Sequence, residues 1–268
     1  MIRLIRQCET YIEASKFLLK PTDCKSSLPE AIGFIEESTG IKTSRAKSLC
    51  DCEIKDNLTA KPMMELKASD EIIEISYAQL SRILRRYEEG IVGGYHPKTG
   101  RIFLVEGQWC FSNLVHEALH SRSVFSKRDP FPTNLEFVSD GLTELLVGLV
   151  LKKKIPPCYK KWQIANSCFL LPYAKFVRPW YYLTLRVDFK PIISLYFDVG
   201  EKTPLEKLGE LLRDLLDSKF ENVFLNYDPN EKGFFDRFKD QLGRVLGEDF
   251  ASFLGSQKGM KLDHLNCL

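Results

Sequence analysis

Residues Leu135–Leu151 read as a helix that is almost entirely apolar and yet carries Glu136, Asp140 and Glu144 at intervals of four. That interval stacks all three acids on one helical face. On an exposed helix, like charges so spaced repel by about 0.2–0.5 kcal/mol per pair. This helix has little face left to expose, because Phe137, Val138, Leu142, Leu145, Leu146, Val147, Leu149 and Val150 fill the rest of it. A helix of this kind is expected to be buried, and buried carboxylates need partners. Thr133 as N-cap and Glu136 three residues into the helix form a capping box that marks its start. The bland alternative is a solvated acidic stripe.

A partner lies upstream in His116-Glu117-Ala118-Leu119-His120. The apolar neighbours Leu114, Val115, Ala118 and Leu119 suit a buried helix, expected from Trp109 to about Ser123. On a helix the two imidazoles sit one turn apart on one face and can address one ion, with Glu117 beside the first of them. This is the HExxH arrangement, in which zinc takes two histidines and the glutamate is a general base. The alternative is a core helix with two hydrogen-bonded histidines. The chain has only four histidines. Of the others, His96 reads as a solvated turn residue and His264 lies near the terminus.

The HExxH helix followed by an acid-Gly-x-x-acid helix, Asp140-Gly141-Leu142-Thr143-Glu144, resembles the gluzincin zinc metallopeptidases, the group of thermolysin and the HExxH aminopeptidases. The resemblance covers roughly residues 91–151. It implies peptide-bond hydrolysis with Zn²⁺ as cofactor, held by His116, His120 and Asp140, and with Glu117 as general base. Glu144 would orient a ligand imidazole, or serve as third ligand itself, because aspartate stands where the family has the longer glutamate. Glu136 ranks behind both, being engaged by the capping box. The resemblance also makes Arg101, Ile102, Phe103, Leu104 and Val105 a sheet-edge strand that pairs with an extended peptide or protein substrate. It calls for an oxyanion donor, for which Tyr173, Tyr181 and Tyr182 are candidates, with Arg178 beside them. No exopeptidase motif is visible, so endopeptidase action is expected.

The rest of the chain organises around this core. The expected fold class is α+β, with a zincin-like small sheet packed on the HExxH helix. Residues 1–70 form a helical N-terminal segment, loop-like near 43–62. Residues 71–155 form the zincin-like catalytic core, and residues 156–268 a mostly helical C-terminal subdomain. Within the core, Glu71–Ile75 reads as a strand, and Ser76 with Gln79 as a capping box opening a helix to about Glu89. The runs Ile91–Tyr95 and Arg101–Val105 flank turn residues as a β-hairpin. Residues 155–200 read as short helices mixed with possible strands. Further on, Thr203-Pro204-Leu205-Glu206 is another capping box, opening a helix whose apolar side holds Leu208, Leu211, Leu212, Leu215 and Leu216.

Composition sets the remaining bounds. With 38 Lys+Arg against 36 Asp+Glu there is no electrostatic case for a dedicated nucleic-acid partner. No apolar run is long enough to span a membrane, and the charged N-terminus has no leader-like core. A cytoplasmic location is expected. The eight cysteines are scattered without CxxC spacing and read as small buried hydrophobes. The competing functional reading is a non-catalytic, metal-stabilised binding or scaffold protein that retains the helix pair. A third possibility is a buried ion-pair network without metal.

Overall fold

A computed structural model describes residues 28–44, 54–55, 62–64, 72–84, 92–97, 99–109, 111–127, 133–153, 177, 180–181, 183–184 and 187–215. Residues 54–55, 62–64, 84, 127, 133–137 and 151–153 are described by backbone alone. All eight cysteines lie outside these residues, as do Tyr173, Tyr182, Arg178, Leu216 and His264.

In chain order the elements are helix α1 (Leu28–Thr39), strands β1 (Ile54–Lys55), β2 (Pro62–Met64) and β3 (Ile72–Ile75), helix α2 (Tyr77–Leu84), strands β4 (Gly93–His96) and β5 (Arg101–Val105), helix α3 (Phe111–Arg122), the 3₁₀ turn η1 (Val124–Lys127), and helices α4 (Thr133–Lys153), α5 (Lys190–Phe197) and α6 (Pro204–Leu215). The class is α+β: several helices around a three-stranded sheet, with a separate two-stranded ribbon of β1 and β2. That ribbon falls where the sequence reads as loop. Strands of two and three residues are too short to display an alternating pattern.

The larger sheet has the order β3-β5-β4. Strand β5 pairs parallel with β3, from Ile72 opposite Ile102 to Ile75 opposite Val105. On its other side it pairs antiparallel with β4, from Gly93 opposite Leu104 to His96 opposite Arg101. The expectation that Arg101, Ile102, Phe103, Leu104 and Val105 form an edge strand is therefore corrected: they form the central strand. The reason is legible in the run itself, since its apolar side chains fall on both faces and all five residues are buried. A strand apolar on both faces needs cover on both sides, and such a strand is buried within the sheet. Ile102 and Leu104 point into the main core with α3, whereas Phe103 and Val105 join Ile75, Leu80 and Ile83 under α2. Among the described residues β4 is the outer strand on this side.

Local chemistry explains the joints. Ser76 N–H donates to Gln79 Oε1 at 2.9 Å, and Gln79 N–H donates to Ser76 Oγ at 3.3 Å. This is the reciprocal capping box expected at the start of α2. The β4–β5 turn closes with Gly100 N–H donating to His96 O at 2.8 Å, and Gly100 adopts φ 66°. His96 is half-buried rather than solvated: its Nδ1 accepts from Thr99 N–H at 3.3 Å, and its ring stands edge-on to Phe103. Ahead of α6, Glu201 Oε1 accepts from Thr203 N–H at 3.0 Å, so an upstream acid serves this end of the helix.

One buried apolar cluster draws on all three sequence segments. It joins Leu28, Ala31 and Ile35 of α1, Leu114, Val115, Ala118 and Leu119 of α3, Val138 to Val150 of α4, and Ile192, Tyr196, Leu208 and Leu212 of the last two helices. On α6, Leu208 and Leu212 are buried and Leu211 and Leu215 half-buried, matching its expected apolar side. Between Val138 and Val150 helix α4 is buried except at Asp140 and Gly148, which are half-buried. No described helix is long and apolar enough to cross a membrane.

Because Leu104 is fully buried between the sheet and α3, Leu104→Ala should cost about 2–5 kcal/mol in urea unfolding. Ser76→Ala removes only the exposed cap of α2 and should cost about 1 kcal/mol in the same assay.

Candidate metal site

Helices α3 and α4 pack against each other, and the facing residues are the histidines of one and the acids of the other. His116 and His120, one turn apart on α3, place their rings with centroids 4.7 Å apart. Their Nε2 atoms are 3.0 Å from each other. Asp140 Oδ1, from α4, lies 3.4 Å from His120 Nε2. One ligand atom from each of the three residues falls within 4.8 Å of the others.

The opposite nitrogens are held separately. His116 Nδ1 lies 2.9 Å from Glu144 Oε2, which accepts its proton. His120 Nδ1 lies 3.0 Å from Ser126 Oγ and 3.3 Å from Ser139 Oγ. The two acids of α4 thus address different nitrogens. Asp140 stands on the Nε2 side, and Glu144 stands behind His116. A one-turn step along α4 accounts for the difference, since Glu144 is carried past the point where the Nε2 atoms meet.

The donor set suits a divalent ion. With each Nδ1 carrying a ring proton, the two Nε2 atoms, 3.0 Å apart, can meet through one shared proton as a hydrogen bond or as joint ligands of a cation. In a tetrahedral site with metal–nitrogen bonds near 2.0–2.1 Å, ligand atoms stand about 3.3 Å apart. The 3.0 and 3.4 Å separations fall on either side of that value. Burial disfavours the His116 imidazolium, but the hydrogen bond to Glu144 and the charges of Glu117, Glu144 and Asp140 outweigh it, and its pKa is pushed up to about 9. A field that holds a proton this firmly also favours a metal cation. The His116, His120 and Asp140 group could therefore hold a metal ion. The side chains are not sealed off: His116, His120 and Asp140 are 13%, 12% and 18% exposed.

Glu117 reaches towards the sheet. It is buried, and its carboxylate lies against Gly93 of the outer strand: a Cβ at Gly93 would stand 3.2 Å from Glu117 Oε1 and 3.0 Å from Leu104 Cδ2. Glycine at this position leaves room for the carboxylate beneath the strand.

The remaining sequence candidates fare unequally. Tyr181 is buried in the apolar core, and its backbone carbonyl accepts from Thr184 Oγ1 at 2.6 Å. Tyr173 and Tyr182 lie outside the described residues, as does the side chain of Glu136. Several neighbours of the site escaped the sequence reading. Ser126 and Ser139 sit behind His120, and Tyr196 donates to or accepts from Thr143 Oγ1 at 2.7 Å. Burial drives the Tyr196 phenol far above its usual pKa, against the hydrogen bonds of Thr143 and Ser123, and the carboxylates of Asp140 and Glu117 push the same way as burial. Tyr196 is thus a neutral brace between α4 and α5. Single serines and a tyrosine from a distant helix carry no spacing signal, so only the fold reveals them.

No family model, curated protein or solved structure matches this chain.

The unequal positions of the two acids make a distinguishable prediction. Asp140→Ala should abolish stoichiometric metal uptake in elemental analysis of the purified protein. Glu144→Gln should keep the metal but bind it about 10–100-fold more weakly in chelator competition.

Proposed function

We propose that this protein is a zinc-dependent peptidase of the HExxH type, acting on internal bonds of peptide or protein substrates. The observation that carries the reading is the convergence of His116 Nε2, His120 Nε2 and Asp140 Oδ1, with the Glu117 carboxylate near enough to act on His116 through its charge and lying under the outer strand. The zincin-like character of the sheet and helix packing belongs to the same proposal.

His116, His120 and Asp140 would hold the zinc ion. Bound there, zinc supplies Lewis acidity, lowering the pKa of a water and polarising a carbonyl oxygen. The chain's own residues do the rest. Glu117 accepts a proton at its carboxylate from the attacking water and returns it to the departing amine nitrogen. Its burial against Gly93 keeps it in one orientation. Glu144 holds the His116 ring by its Nδ1–H. Substrate is then expected along β4 rather than β5, because β5 is paired on both sides and β4 is the strand that borders Glu117. An extended peptide added to such an edge is held by main-chain hydrogen bonds and needs little side-chain recognition.

The competing reading, a metal-stabilised scaffold without catalysis, differs in one residue's role, since a structural site makes no use of a base at Glu117. Glu117→Gln should retain one equivalent of zinc and lose about 10²–10⁴-fold in cleavage of casein or a peptide library. Equal cleavage by parent and variant would remove Glu117 as the base. Zinc uptake with no cleavage by the parent would favour the scaffold. Gly93→Ala should also leave zinc content unchanged, while displacing Glu117 and lowering kcat on the order of 10–100-fold.

A further inference from the structure

The two imidazoles are supported differently, and the difference points to a role for residues outside the HExxH motif. His116 is backed by a carboxylate, Glu144. His120 is backed by two hydroxyls from separate elements: Ser126 of η1 at 3.0 Å and Ser139 of α4 at 3.3 Å, both from its Nδ1. The hydroxyls are themselves 3.5 Å apart. Both serines are buried, at 3% and 1% exposure. Buried hydroxyls with a shared partner at these distances are committed to it, because the alternative is an unsatisfied polar group.

Ser139 directly precedes Asp140. Adjacent helical residues diverge by about 100° around the axis, so α4 reaches past both edges of the His120 ring. Asp140 Oδ1 faces Nε2 at 3.4 Å, and Ser139 Oγ faces Nδ1 at 3.3 Å. Ser126 completes the hold from the other side, in the turn that directly follows α3.

We propose that Ser126 and Ser139 are positioning residues that place the ring proton of His120 on Nδ1 and aim Nε2 at the metal. The inference rests on the metal reading above and extends it to these two serines. Nδ1–H donates to Ser126 Oγ, the nearer acceptor, and Ser126 O–H donates on to Ser139 Oγ. A hydroxyl pair is the fitting support on this side. Asp140, Glu117 and Glu144 already bring three carboxylates to the two imidazoles, and a fourth charged acceptor would add to a negative charge that a single divalent ion does not balance. Orientation of a ligand imidazole through its second nitrogen raises metal affinity without touching the metal.

The test uses the full chain loaded with zinc alone. Nitrogen–proton NMR of the histidine rings should show His120 protonated at Nδ1, with slow exchange against water. In Ser126→Ala/Ser139→Ala that signal should exchange rapidly, and zinc affinity in chelator competition should fall about 10–100-fold, while the His116 ring proton stays protected. A double variant that binds zinc within twofold of the parent, with the His120 ring proton still protected, would overturn the proposal and leave the metal reading intact. Should the double variant fail to fold, the parent spectrum decides alone: a ring proton on His120 Nε2 would overturn the assignment. A parent that takes up no zinc would remove the metal reading and this inference with it.

Discussion

The contact between α3 and α4 is the constraint on which the rest of the structure depends. It joins a helix with two stacked histidines to one that brings Glu144 into the core and leaves Asp140 half-buried at its edge. Desolvating a carboxylate is costly unless a cation or strong donor meets it. Glu144 is met by the His116 Nδ1–H at 2.9 Å, and Asp140 lies alongside His120 Nε2 at 3.4 Å. The apolar remainder of α4 provides the driving force for burial and carries the acids inward with it. The packing interface and the candidate site are therefore one feature.

The sheet places the third participant. Strand β5 is covered by α2 on one face and by α3 on the other, which fixes α3 against the sheet. Glu117, on the side of α3 that turns towards the sheet, is brought under β4. The absence of a side chain at Gly93 lets strand and carboxylate approach closely. Helix α5, the apolar side of α6 and the turn η1 add to the same core, where Tyr196 braces α4 through Thr143.

Much of this was legible in advance because it is periodic. The four-residue step relating His116 to His120, and Asp140 to Glu144, is a property of the helix itself. The capping residues Ser76 and Gln79 announce α2 because their hydrogen bonds are local. The run Arg101–Val105 is recognisable as a strand, and its pairing with β4 follows from the short turn between them. Its central place comes from the pairing with β3, about thirty residues upstream, which no local pattern announces. The short ribbon of β1 and β2 had no pattern to read.

By itself the sequence determined which residues could act and which shared a helical face, because those relations repeat with the period of the backbone. It left open whether Asp140 or Glu144 would stand beside the Nε2 atoms, which strand would border Glu117, and what would hold His120 from behind. Those are distances between elements. They depend on how closely two helices approach and in what order three strands pair. Only packing decides such quantities, since it sums many weak contacts across the whole core and leaves no mark on any one stretch of chain.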